Sequence, residues 1–445
     1  MVAAVSGAPA GGTLLERVGD GLEIGGIPVG RLAERVGGTP FFAYDRGLIT
    51  RRATAVRAAL PPDVELGHPV RANPMPAVLH HLAGLVDTFD VASGRELRRA
   101  LDTALPPESI ALAGPGKSTA ELRQAVAAGV TVVLESPTEL ARVREVAEWL
   151  GLPARVAPRV APVAAAPAGR AAPQPGRGTG PLAVDDERLP ALLAEIAASG
   201  LDPVGFHVLA AAPRVPADVA ARARRATVEH LLRLSETLPG PLRRLHLGYD
   251  AVGYGLAGHD FAGYDLAGYD PADPIDLGAP LGVPREPAEL AEELADELAE
   301  LTEDQLRRRQ PGARIVLGLG HVLVGEAGVY LTRVVDRRES RGTTFLVVDG
   351  ALHHPASAVG AVGQVIRRAH PVAVAERAGP PGGRRPETVT VVGRLCTPLD
   401  PLGDQVTLPR AEIGDLIAVF QVGAHGLTSP PGALLGHPEP IEVLV

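Results

Sequence analysis

From Val64 to Leu150 the chain repeats one unit: a short apolar, often β-branched run, then a stretch of helix length. Val64–Val70, Thr88–Val91, Ile110–Ala113 and Thr131–Leu134 read as strands; Ala77–Leu85, Gly94–Leu101, Thr119–Ala128 and Thr138–Leu150 read as the helices between them. Such alternation implies βα units and a parallel sheet. This many units, with no dinucleotide fingerprint after the first strand, favour a (β/α)₈ barrel of TIM type over a doubly wound sheet. The pattern resumes at Leu189–Ala198, Val204–Leu209, Val219–Leu238 and Leu242–Leu247. The fold class is therefore α/β, with the barrel placed at residues 41–315, beginning at the strand Phe41–Tyr44.

Two stretches interrupt the barrel. Residues 161–180 are rich in Ala, Pro and Gly and read as a loop. Residues 249–270 read as a second loop that contains a pentad repeated three times, Leu256–Asp260, Phe261–Asp265 and Leu266–Asp270. Its aspartates and tyrosines have no ligand geometry behind them, so the repeat reads as low complexity rather than as a metal or sugar site. Glu286–Arg309 reads as a solvated helix, acidic early and arginine-rich at its end, as the helix dipole prefers. Beyond it Gly328–Val335, Thr344–Val348, Thr388–Val392, Leu416–Val422 and Ile441–Val445 are β-branched runs separated by turns. They imply a mainly antiparallel β domain over 316–445. Residues 1–24 read as a flexible N-terminus, and 25–40 as a segment packing on the β domain.

Composition excludes several function classes. Hydrophobic residues make up 46% of the 445, enough for a sizeable core, although aromatics are only 3%. The formal charge of −9 comes without a basic stripe, which argues against a nucleic-acid partner. No run of 18 apolar residues suggests a membrane span, and the lone Cys396 excludes an internal disulfide framework and suits the cytoplasm. Of 43 basic side chains one is a lysine, Lys117.

His68-Pro69-Val70-Arg71-Ala72-Asn73-Pro74, followed by Asp90-Val91-Ala92-Ser93-Gly94-Arg95-Glu96-Leu97, resembles the start of the fold-type III pyridoxal phosphate (PLP) decarboxylases. These are the diaminopimelate, ornithine and arginine decarboxylases. Further stretches, Gly114-Pro115-Gly116-Lys117-Ser118, Phe345–Gly350, Gly363–Arg368 and Leu395–Asp400, look closest to the exosortase A system-associated branch. The resemblance covers about residues 25–445 and implies an alanine racemase-like fold, a barrel plus a β domain, working as a dimer. It also implies PLP as cofactor and an amino acid as substrate.

Carried over by motif, the family's Schiff-base lysine falls on Arg71. A guanidinium offers no amine lone pair and cannot condense with an aldehyde. Asn73 and Asp90 match the residues that support the lysine, and His207 the histidine stacked on the cofactor. The donors after that histidine fall near Ala211 and Ala212, so a phosphate-binding hydroxyl is missing. The glycine-rich phosphate loop retains Gly248, followed by Tyr249 and Asp250. The family's E-x-G-R reads Gly318-Leu319-Gly320-His321, so the glutamate partner of the pyridine nitrogen is a glycine and the arginine is His321. Asp349 matches a substrate-contacting aspartate, Cys396 the cysteine given across the dimer interface, and His425 a tyrosine lying against the cofactor.

The losses fall on one site while the scaffold motifs remain. The leading expectation is a catalytically degenerate homologue, a pseudoenzyme serving as a homodimer or as the partner of an active paralogue. An alternative is an active decarboxylase of a diamino acid in which Lys117 replaces the missing lysine, although Lys117 reads better as a cap of the following helix region. A third is a PLP-independent binding pocket made by His207, His321 and His425. His80-His81 and His353-His354 lack a third ligand, so no metal is assigned. The P-loop likeness around Lys117 fails at Ala111, where a glycine is required.

Overall fold

The computed structural model describes residues 17–18, 21–161, 183–208, 217–247, 299, 306–351, 354, 370–376, 385–396, 400–427 and 436–445. The stretch 162–180, the pentad repeat and most of Glu286–Arg309 lie outside them. Those between Ala53 and Gly320 form a barrel unit; those up to Arg52 and from His321 onward form a sheet unit.

Eight parallel strands make the barrel: Val64–Pro69, Thr88–Val91, Ile110–Leu112, Thr131–Leu134, Arg155–Val160, Gly205–Val208, Arg244–Leu247 and Arg314–Gly318. Each pairs with the next, and the eighth closes on the first through Ile315 opposite Val64. Buried on both faces, such strands read as near-continuous apolar runs rather than alternating ones. Leu66, Phe89, Val132, Val133, Phe206, Leu245 and Leu317 are buried accordingly.

Three helices start by the same device. Ser93, Ser118 and Ser136 accept from the backbone N–H of Glu96, Glu121 and Glu139 respectively. At Ser118 the glutamate bonds back, completing a capping box. The cap of helix Thr119–Ala128 is thus Ser118, not Lys117. Each cap fixes where the chain turns after the second, third and fourth barrel strands.

Phe41–Tyr44 is a strand, but not a barrel strand. In the sheet unit it pairs antiparallel with Gly328–Ser340 and parallel with Ile441–Leu444. All four of its residues are buried, and an unbroken apolar run fits any enclosed strand, so pattern alone cannot say which sheet takes it. The barrel therefore begins at Val64, and its last strand spans the expected boundary at 315. Nor are residues 1–24 flexible throughout: Gly21–Ile24 is a strand pairing with Ile27–Pro28, with Leu22 and Ile24 buried.

The sheet unit is mainly antiparallel. Gly328–Ser340 pairs with Thr343–Val348 and Leu416–Phe420, Val372–Glu376 with Leu416–Phe420, and Pro386–Val392 with Pro401–Pro409. Within it Gly30 donates its N–H to Glu376 and Thr39 its hydroxyl to Asp349. Among the described residues no helix is long and apolar enough to cross a membrane.

Candidate functional site

The first barrel strand ends in a 3-10 turn, Val70–Ala72, which carries Arg71 at the rim. Pro69 and Pro74 flank the turn, and Asn73 closes it: its buried side chain accepts from the N–H of Met75 at 3.1 Å. An Asx-type bond of this kind shapes a turn locally. It holds Arg71 where its charge acts on Asp90 and His207.

Asp90, His207 and His246, from the second, sixth and seventh strands, form a buried cluster. The two histidines are opposite one another in the parallel ladder, and their rings stack at 5.4 Å, 12° from parallel. Asp90 Oδ1 lies 3.5 Å from His246 Nδ1 and 3.9 Å from His207 Nε2. Burial opposes the Asp90 charge, yet His246, His207 and Arg71 together hold its carboxyl below the usual range. Burial pushes the His207 imidazole down to about 3; Asp90 resists this, while Arg159, His246 and Arg71 add to it. His207 is therefore a neutral ring at physiological pH. Arg159, its other ladder neighbour, pairs with Glu135 at 2.7 Å.

Beside the cluster, the eighth strand carries Gly318. A β-carbon there would lie 3.4 Å from the Pro69 ring and 3.7 Å from Asp90 Oδ2, ordinary contact distances. A side chain fits, but a carboxylate built outward would meet a carboxylate.

Lys117 is buried and fully engaged. Its Nζ donates to the carbonyls of Gly114 (2.9 Å) and Val133 (2.8 Å) and to both oxygens of Glu139 (3.0 and 3.1 Å), with Glu135 at 3.8 Å. It clamps the end of the fourth strand to helix Pro137–Leu150. An ammonium has three donors, and all are taken.

A family model described as "Pyridoxal-dependent decarboxylase, pyridoxal binding domain" matches residues 46–208. A diaminopimelate decarboxylase from Actinosynnema pretiosum subsp. auranticum is 30% identical over 441 residues, covering 97% of this chain and 89% of the relative. The chain belongs to the PLP-dependent decarboxylase family of fold type III. An L-glutamyl-[BtrI acyl-carrier protein] decarboxylase from Niallia circulans is 29% identical over 415 residues, covering 91% and 88% of the two chains. The fold matches the crystal structure of diaminopimelate decarboxylase from M. jannaschii in co-complex with L-lysine, with a TM-score of 0.77 at 21% identity, over 97% and 92% of the two chains.

Against the family pattern, Arg71, Asn73, Asp90 and His207 all lie at strand ends of the barrel unit. Gly320 opens the short helix Gly320–Val324; Gly248, Ala211 and Ala212 lie outside the described residues. His207, and the histidines His321 and His425 expected to join it, each have a ring neighbour within their own unit. His207 stacks on His246, and His321 sits 5.2 Å from His425 within the sheet unit. His425 adopts a left-handed conformation, φ 57°, in a turn pressed against that helix. A β-carbon on Gly423 would lie 1.8 Å from the Val324 carbonyl, so only glycine lets the turn approach.

Asp349 is engaged inside its own unit, accepting from Thr332 Oγ1 (2.7 Å), the Arg333 N–H (2.9 Å) and the Thr39 hydroxyl. Cys396 is exposed, and His354 bonds to Tyr330 at 2.8 Å. His246 was not singled out from sequence. Its partners come from other strands, so no spacing announces it; only the barrel register would have placed it opposite His207.

Proposed function

We propose that this decarboxylase-family chain has given up Schiff-base chemistry and serves as a ligand-binding or partner subunit, pairing with itself or with an active paralogue. One observation carries the reading. The only lysine in the sequence has every N–H donor engaged by two carbonyls and a glutamate, while the family's lysine position holds Arg71. No other side chain supplies a primary amine. The residues present therefore do not fit a covalently held PLP, and no reaction step is drawn through it.

A second support is Gly318. The family's glutamate at that position pairs with the pyridine nitrogen and makes the ring an electron sink. Here the position has no side chain, and the nearest carboxylate, Asp90, faces two histidines instead.

The test is direct. Purified protein incubated with PLP should develop no visible-edge absorbance, and borohydride should fix no pyridoxyl group on Lys117 by peptide mapping. Mapping separates that result from reaction at the terminal amine. A stoichiometric adduct on Lys117, or carbon dioxide release from a diamino acid that Lys117→Ala abolishes, would overturn the proposal.

A further inference from the structure

We propose that Asp90, His207 and His246 form a divalent transition-metal site inside the barrel, with zinc as the fitting ion. Among the described residues these three present one donor atom each, all within 4.8 Å of one another and all buried. Ions of this class bind imidazole and carboxylate at about 2.0–2.2 Å, which puts neighbouring tetrahedral donors roughly 3.4 Å apart. The observed 3.5 and 3.9 Å separations from Asp90 Oδ1 are close to that. Bringing both imidazole lone pairs onto one ion requires the stacked rings to rotate about their side-chain torsions.

The second observation is unmet polarity. Asp90 Oδ1 and His246 Nδ1 face each other at 3.5 Å with solvent excluded, a long, poorly aligned contact that leaves neither fully satisfied. A cation among them would meet both at once, with His207 Nε2 as the third donor. The three ligands come from strands of a closed barrel, so their spread is fixed by the ladder rather than by loops. Two histidines and one carboxylate leave open coordination positions, as in catalytic rather than structural zinc sites.

Charges facing the cluster limit its strength. Arg159 lies on the adjoining strand but is neutralised by Glu135; Arg71 bears on Asp90 and His207 from the rim. Arginine charge near a cation weakens binding and favours an anion in an open position. His207 Nδ1 is buried without a partner, so the orienting bond that strong sites give the second nitrogen is missing. Micromolar affinity is expected rather than the tighter range of structural zinc.

The experiment uses the full chain, stripped with chelator and titrated with Co²⁺, then Zn²⁺. One equivalent of Co²⁺ should give visible d–d bands of low coordination number, and Zn²⁺ should bleach them and raise the melting temperature. Asp90→Asn and His246→Gln should each weaken binding by more than the ~10–100-fold typical of outer-shell substitutions. His230→Gln, at a surface pair with Asp186, should leave it unchanged. Absence of cobalt bands in the unsubstituted protein overturns the proposal without relying on any variant's folding. Undiminished binding in folded Asp90→Asn and His246→Gln would overturn it equally. This goes beyond the proposed loss of Schiff-base chemistry and fails separately: a pyridoxyl adduct on Lys117 refutes that reading and leaves the cobalt titration standing.

Discussion

Replacing Lys117 by alanine should cost about 3–5 kcal/mol of stability, the range for removing one partner of a buried ion pair. Nζ is enclosed with Glu135 and Glu139, all three side chains no more than 6% exposed. Without it Glu139 loses two bonds, and the carbonyls of Gly114 and Val133 lose their donor. Arg159 still pairs with Glu135, and the Glu135 N–H still serves Glu139 at 3.0 Å, so the damage concentrates on the Glu139 charge. Lys117→Met combined with Glu139→Gln should recover part of the loss, because matched neutralisation of a buried pair is far milder than orphaning one member. Urea unfolding followed by far-ultraviolet circular dichroism compares the midpoints, which suffices even if the two units unfold separately. An unchanged midpoint in Lys117→Ala would mean that this lysine is not the clamp its contacts describe, and would reopen it to chemistry.

The same residue shows where sequence reading stops. Its position after a strand was legible, but its role was not: Glu139 lies 22 residues on, and only packing of the next βα unit brings the two together. The barrel itself was legible because buried parallel strands are short continuous apolar runs, spaced here by stretches of helix length. Phe41–Tyr44 satisfied the same pattern and belongs to another sheet, since periodicity reports burial and not the neighbouring strand. Within the site, Asp90 and His207 were found through motif likeness. His246 escaped because its relation to them is one of register across strands, which no linear spacing encodes.

Arg71→Lys should restore a borohydride-trappable PLP adduct at residue 71 without restoring measurable decarboxylation. Both side chains are cationic, so the charge acting on Asp90, Glu96 and His207 is kept and the turn held by Asn73 should survive. What returns is an amine lone pair on a flexible stem. What does not return, on the family resemblance, is the partner of the ring nitrogen expected where Gly318 stands, or the glycine-rich phosphate loop expected at Leu247–Asp250. Each missing preorganised group costs about 10²–10³ in rate, so two of them together cost about 10⁴–10⁶. Adding Gly318→Glu does not simply repair this: the new side chain would start 3.7 Å from Asp90 Oδ2, and two carboxylates in one buried space cannot both stay charged. The measurements are adduct mass at residue 71 and carbon dioxide release over a panel of diamino acids. Turnover in Arg71→Lys alone would show that a single side chain had silenced an otherwise competent site; no adduct would show that the surrounding losses already prevent PLP from binding.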